Sequence, residues 1–293
     1  MKNLIARTLS GLLFLVIMVG CILWNAYAFL ALTCIIVILG MNEFFKMFFQ
    51  KPHKIQQFLS IFSGICIVAW AFLFQNIYYI EDDIFDKSEL IEILLFLLNG
   101  FLILLPIIAT IIIFVLELYK KSEKPFENLS LFFIPIFYIV IPFALIQLCN
   151  DVPSNRHNFF ILAFFILIWA NDVGAYCFGM LLGQNGKHKL FPRISPKKSW
   201  EGFIGGIITA VVASILVSKF MFYSENMHHW IIIAIITSVF GTFGDLVESM
   251  LKRSVGVKDS GKIIPGHGGI LDRFDAVLLS FPIVFVYMAT FIL

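Results

Sequence analysis

Leu90-Ile91-Glu92-Ile93-Leu94-Leu95-Phe96-Leu97-Leu98-Asn99-Gly100-Phe101-Leu102-Ile103-Leu104-Leu105-Pro106-Ile107-Ile108-Ala109-Thr110-Ile111-Ile112-Ile113-Phe114-Val115-Leu116-Glu117-Leu118-Tyr119 is the stretch that decides how this chain folds. A helix crossing the hydrocarbon of a bilayer needs about 20 mostly apolar residues, and this run exceeds that. It also carries Asn99, Gly100 and Pro106, places where a helix can kink or break. Read as one tilted or kinked helix, it gives the chain nine spans. Read as two, it moves every later segment to the opposite side of the membrane.

Working outward, the other apolar runs lie near 7–24, 26–46, 57–80, 129–149, 158–182, 202–223, 229–250 and 275–293. Charge placement chooses between the two counts. With nine spans and the N-terminus inside, all of the 21 Lys and Arg except Lys87, Arg156 and Lys219 fall inside. The acidic run Glu81-Asp82-Asp83 with Asp86 falls outside, as the positive-inside rule requires. Splitting the long run would carry the basic residues from Lys187 to Arg273 outside. Nine spans fit; ten do not.

Composition agrees. Hydrophobic residues make up 60% of the 293 and charged residues 14%, with a mean hydropathy of +0.95, where a soluble domain carries about 25% charge. The net charge of +2 excludes a strongly basic nucleic-acid binder, and no nucleic-acid partner is expected. Cys21, Cys34, Cys66, Cys149 and Cys177 form no CxxC and lie mostly in apolar stretches, so they suggest neither a disulfide framework nor a zinc site. Lys2, Arg7 and the following apolar stretch resemble a signal peptide, but the stretch runs straight on into a second span and is read as a retained helix. The expected fold is therefore all-α: a polytopic integral membrane protein of about nine transmembrane helices with a cytoplasmic N-terminus. Residues 1–150 read as scaffold spans. Residues 151–293 read as a catalytic region with cytoplasmic loops at 183–201 and 251–274.

Polar residues set the two halves apart. In the first, Glu43, Glu92 and Glu117 read as interfacial. In the second, Asp172 stands midway along an apolar run, Asp245 and Glu248 close another, and Asp272 and Asp275 open the last. A charge facing lipid is costly, so such residues point into protein or a wet cavity and are functional candidates. At about 100° per residue, Asp245, Glu248 and Lys252 share one arc, and Asp272 and Asp275 share another. Two carboxylate pairs of this kind make a site for a hard cation, Mg2+ or Mn2+ rather than zinc. The alternative is a set of Asp–Arg and Glu–Lys pairs fastening helix ends. Asp172, Ala175 and Gly179 share a face, which predicts a buried Asp172 at a helix contact.

The loop between the carboxylate pairs holds Arg253, Lys258, Lys262, several glycines and His267. Glycine lets backbone amides approach an anion, and Lys and Arg neutralise phosphate. A second inside loop carries Ser195-Pro196-Lys197-Lys198-Ser199-Trp200, suited to a lipid phosphate or an anionic headgroup surface. Gly179-x-x-x-Gly183 and Gly202-x-x-x-Gly206 read as close-packing helix faces. Of the histidines, His53, His157, His228 and His229 lie at segment ends without evident partners, and His267 is the one with a functional setting.

Ser249-x-x-Lys252-Arg253-x-x-x-x-Lys258-Asp259, followed by His267-Gly268-Gly269-x-x-Asp272-Arg273-x-Asp275, resembles the signature of the phosphatidate cytidylyltransferase (CDP-diacylglycerol synthase) family. Asn171-Asp172-x-Gly174-Ala175-Tyr176 and the stretch Ser195–Gly202 are similar to the same family, so the likeness is strong over about 168–275. The resemblance implies that CTP and phosphatidate react to CDP-diacylglycerol and pyrophosphate at the cytoplasmic face of a bacterial inner membrane. It also implies a divalent cation, a nearby monovalent cation such as K+, surrounding membrane lipids as partners, and a homodimer.

On that reading Asp245, Glu248, Asp272 and Asp275 are the metal set, with Asp245, Asp272, Lys252 and His267 catalytic. Ser195, Lys197, Lys198, Ser199, Arg253, Lys258, Lys262 and Arg273 would contact the substrates, His267 would donate to the leaving pyrophosphate, and Asp172 is structural or functional. The chemistry fits: a phosphate nucleophile needs no Ser–His–Asp machinery, but two polyanions need cations to meet in line. A CDP-alcohol phosphotransferase is disfavoured because its DGxxAR motif is absent. A CTP-dependent enzyme acting on another membrane lipid stays open, and a transporter is disfavoured because the polar groups crowd one face.

Overall fold

The stretch 90–119 is one helix. The computed structural model describes residues 2–48, 54–84, 89–120, 122–150, 155–183, 188–222, 226–264, 266 and 268–292. In chain order its helices are α1 (Lys2–Trp24), α2 (Ala26–Phe48), α3 (Lys54–Ile84), α4 (Glu89–Tyr119), α5 (Pro125–Pro135), α6 (Ile141–Gln147), α7 (Asn155–Leu182), α8 (Trp200–Val217), α9 (Met227–Ser254) and α10 (Leu271–Phe291). Helix α4 passes through Pro106 without a break. In hydrocarbon a freed carbonyl finds no water, so continuing the helix costs less than opening it. Its 31 residues rise about 1.5 Å each, more than a hydrocarbon core of about 30 Å requires.

Eight helical segments are long and apolar enough to cross a membrane, and Thr8–Trp24 is a shorter apolar helix. One of the eight, Pro125–Gln147, joins α5 and α6 through a π turn at Ile136–Val140. Pro142 has no N–H for the carbonyl four residues back, and the ladder widens beside it. One feature departs from the all-α expectation. Loop 183–201 contains an antiparallel hairpin of β1 (Lys189–Phe191) and β2 (Ser195–Ser199). Its turn is closed by Ile194 N–H donating to the Phe191 carbonyl at 3.2 Å, with Pro192 supplying the φ that the second residue of such a turn needs.

The chain divides into two compact units. The first comprises Met1–Asn158 with Gly261–Ile270. Its core holds Met41, Phe44, Phe45, Phe72 and Phe132. A buried polar network ties α2, α3 and α6. Asn76 Nδ2 donates to the Asn150 carbonyl at 2.8 Å, Asn150 Nδ2 to the Ala26 carbonyl at 2.9 Å and Gln147 Nε2 to Thr33 Oγ1 at 2.7 Å. Away from water such groups persist only when paired. Glu43 and Glu117, expected at the interface, are instead 2% and 5% exposed. Both are buried because donors await them: Glu117 accepts from Gln56 at 3.3 Å and Asn128 at 2.6 Å, and Glu43 from the Ile270 N–H at 2.9 Å. The side chain of Glu92 lies outside the described residues. All five cysteines are free thiols.

The second unit comprises Phe159–Ser260 with Leu271–Leu293. Here α7 and α8 pack through glycine. A Cβ on Gly202 would stand 3.3 Å from Gly179 Cα and 2.8 Å from the Ala175 carbonyl, and one on Gly206 would strike Asn171. The two small-residue faces meet as their spacing predicts. Helices α9 and α10 pack the same way through Gly241 and Gly244, a pair that the sequence reading passed over. A Cβ on Gly241 would touch Ala276 Cβ at 3.4 Å, and one on Gly244 would run into the Asp275 carbonyl. His229 is not without a partner: its Nδ1 lies 2.7 Å from the Tyr287 hydroxyl. His53 and the side chain of His157 lie outside the described residues.

Candidate active site

The site grows from the contact between α9 and α10. Because residue 244 has no side chain, the backbone of Asp275 and Ala276 lies directly on α9. That places the Asp275 carboxylate beside the arc holding Asp245 and Glu248. One oxygen from each of the three lies within 4.8 Å of the others. Asp275 Oδ1 also accepts the Ala276 N–H at 2.7 Å, which fixes its rotamer.

Asp272, four carboxylates having been expected to act together, is not gathered into this trio. Its Oδ1 accepts from Lys252 Nζ at 2.6 Å, and its Oδ2 accepts from both the N–H and the hydroxyl of Ser260 at 3.0 Å. Lys252 also donates to Glu248 Oε2 at 2.7 Å. The ammonium therefore bridges the two acidic sets, and Glu248 is left with a buried Oε1 that has no hydrogen-bond partner among the described residues. Ser260 was legible as a serine in a glycine-rich loop, but nothing in its spacing marked it.

Helix α9 ends as it must to free this loop. Gly256 sits at φ +73°, the Gly256 N–H donates to Arg253 and the Val257 N–H to Lys252, the paired bonds of a Schellman stop. On the other side, β2 delivers Lys198 to the trio. Lys198 Nζ lies 2.6 Å from Asp245 Oδ2 and donates to the Thr242 carbonyl at 3.4 Å. Ser199, expected on substrate, is 6% exposed and caps α8 by accepting the Gly202 N–H at 3.2 Å. That bond fixes the end of the hairpin against α8 and leaves the hydroxyl its own proton to donate.

Asp172 corrects another expectation. It is exposed, and its neighbour Asn171 takes the buried place against Gly206. A one-residue step along a helix turns the side chain by about 100°, which is enough to exchange the two. The charged groups facing Asp172 are Asp245, Lys198 and Arg273, so it belongs to the wall of the same site. Ser195 opens β2, and Lys197, Arg253, Lys258 and Arg273 are exposed. Arg253 donates to the Val257 carbonyl at 3.2 Å. Lys262 is exposed in the loop segment assigned to the first unit. His267, the proposed donor to a leaving group, lies outside the described residues.

This donor set fits a hard divalent cation. Among the described residues three carboxylate oxygens converge with no thiolate or imidazole beside them, and Glu248 Oε1 is a buried acceptor without a hydrogen bond there. An acidic centre beside Lys198, Lys252 and Arg273 can hold a cation next to anionic groups. The profile of the cytidylyltransferase family matches residues 5–291, and the chain belongs to that family: it is a nucleotidyltransferase. A phosphatidate cytidylyltransferase of Haemophilus influenzae is 34% identical over 98% of this chain and 99% of its own length. One of Staphylococcus epidermidis is 30% identical over 94% and 96%. One of Staphylococcus haemolyticus reaches 51% identity, over 42% of this chain and 46% of the relative.

Proposed function

We propose that this enzyme transfers the cytidylyl group of CTP to phosphatidate, forming CDP-diacylglycerol and releasing pyrophosphate. The observation that carries the proposal is the convergence of Asp245, Glu248 and Asp275 beside Lys198 and Lys252 in a chain whose full-length relatives bear that activity in their names. The phosphatidate phosphate is already an oxyanion, so no side chain need remove a proton. It attacks the α-phosphorus, the new P–O bond forms, and the bond to the β-phosphate oxygen breaks with its electrons leaving on pyrophosphate. Asp245, Glu248 and Asp275 would hold Mg2+ or Mn2+, which supplies charge neutralisation for the phosphates. Asp272 would act by holding Lys252 and Ser260 in place. A monovalent cation such as K+ and a homodimer complete the reading that the family resemblance implies.

Lys198, poised on Asp245, would turn its ammonium to a substrate phosphate. Lys198→Ala is therefore expected to lower kcat/KM for CTP by about tenfold or more, as loss of a charge-assisted phosphate contact does. Its measurement is steady-state turnover beside an unchanged thermal midpoint; unaltered kcat/KM would remove Lys198 from the site. The basic sequence of 187–193 and 252–262 supports a site on the cytoplasmic side, with the N-terminus on the same side. The deciding experiment supplies radiolabelled CTP with phosphatidate, polyprenyl phosphate or polyprenol micelles, with and without magnesium. A labelled CDP-lipid from phosphatidate alone, dependent on the metal, is the expected result. Label entering only a polyprenyl product would turn the reading to another membrane lipid.

A further inference from the structure

Glu43 stands far in sequence from every residue of the site, in α2, yet both ends of the loop Gly261–Ile270 rest on its carboxylate. At one end the Ile270 N–H donates to Glu43 Oε1 at 2.9 Å. At the other, Gly261 lies so close that a Cβ there would collide with that same oxygen. The carboxylate is 2% exposed, and a buried carboxylate is retained only where donors repay its lost hydration. Between the two ends the loop folds on itself. Gly266 and Gly268 adopt φ +77° and +87°, and the Ile264 N–H donates to the Gly268 carbonyl at 3.0 Å. In the chain, Ser260 immediately precedes this loop, and Leu271 and Asp272 immediately follow it. Ser260 and Asp272 are the pair joined by two hydrogen bonds at 3.0 Å.

We infer that Glu43 is a positioning residue for catalysis: its carboxylate clasps the glycine-rich loop at both ends and so sets the chain entry to Asp272 and Asp275. This rests on the proposed cytidylyl transfer for its kinetic consequence, but not for its structural one. A charge-assisted hydrogen bond to backbone is among the stronger kinds, and its loss is enough to loosen a short loop by about tenfold or more.

The test uses the full-length protein in detergent, as Glu43→Ala, Glu43→Gln and Gly261→Ala. Hydrogen–deuterium exchange of the segment 261–270 and tryptic cleavage after Lys262 read the clasp directly, without substrate. Glu43→Ala is expected to speed both by about tenfold or more while exchange in α9 stays slow. Glu43→Gln, which keeps an acceptor oxygen, is expected to recover most of the protection. Gly261→Ala strains the same contact from the loop side and is expected to act like Glu43→Ala, which keeps the test open should that variant fold poorly. With CTP and phosphatidate, kcat should fall in step with loop protection across the series. Unchanged exchange and cleavage in both Glu43→Ala and Gly261→Ala would overturn the clasp. Faster exchange with unchanged kcat would overturn its catalytic role. If no variant, nor the wild type, made CDP-lipid while the exchange differences held, the substrate reading would fall and the clasp would stand.

Discussion

Asp275→Asn is expected to lower magnesium-dependent turnover by about a hundredfold or more, because even indirect partners of metal ligands cost 10- to 100-fold. Asparagine keeps the size of the side chain and an oxygen that can accept the Ala276 N–H, so the helix start survives. What it removes is one negative charge from a group facing Asp245, Glu248 and Asp172. Like charges brought close together repel, and relieving that repulsion favours the folded chain when no divalent ion is present. The variant should therefore melt no lower than the wild type in chelator. Adding magnesium should raise the wild-type midpoint, as any ligand of the folded state does, and leave that of Asp275→Asn nearly unmoved. Near-normal turnover, or an undiminished magnesium shift, would sink the metal assignment. Because the shift needs neither CTP nor lipid, it separates the metal from the choice of substrate.

Gly244→Ala should be nearly as harmful by a different route. The added methyl would meet the Asp275 carbonyl and stand 3.3 Å from Ala276 Cα. Backbone atoms cannot rotate away, so α10 must shift as a body or stay strained. Overpacking of this kind costs about 1–3 kcal/mol. A displacement of about 1 Å at reacting groups is enough for a loss of about a hundredfold. The expected result is a lowered midpoint together with turnover lost beyond what unfolding explains, measured below the transition. Gly20→Ala and Gly100→Ala are the controls. Neither would meet anything within 4 Å, and alanine is the better helix former by about 1 kcal/mol. If Gly244→Ala behaved like those two, the close approach of α9 and α10 would not be what assembles the site.

Much of this was legible in the chain because the bilayer makes long-range rules local. Hydropathy marked the helices, and the distribution of lysine and arginine argued that Leu90–Tyr119 stays whole, as it does in α4. The arc of Asp245, Glu248 and Lys252 followed from helical spacing alone. Partnership across helices did not. Spacing shows that Asp272 and Asp275 share a face, but not that Lys252 and Ser260 occupy the first while the second turns to Asp245. The hairpin of Lys189–Ser199 is too short and too polar to announce itself, with its serine acting as a helix cap. Gly241 and Gly244 were hidden because a gap of three is a weaker signal than the four-residue spacing found in α7 and α8. Glu43 was misread because its donor is a backbone amide more than two hundred positions away, and no side-chain pattern records that.

That distance has a consequence for how the protein is made. Synthesis runs from the N-terminus at about 5–20 residues per second, so α2 enters the bilayer well before Ile270 leaves the ribosome. During that interval the Glu43 carboxylate has not met the amide that it accepts in the finished molecule. The first unit is completed only when the segment Gly261–Ile270 arrives, late in synthesis. A nascent chain halted before Gly261 would lack both ends of the loop that rests on Glu43, so this contact is among the last of the first unit to form.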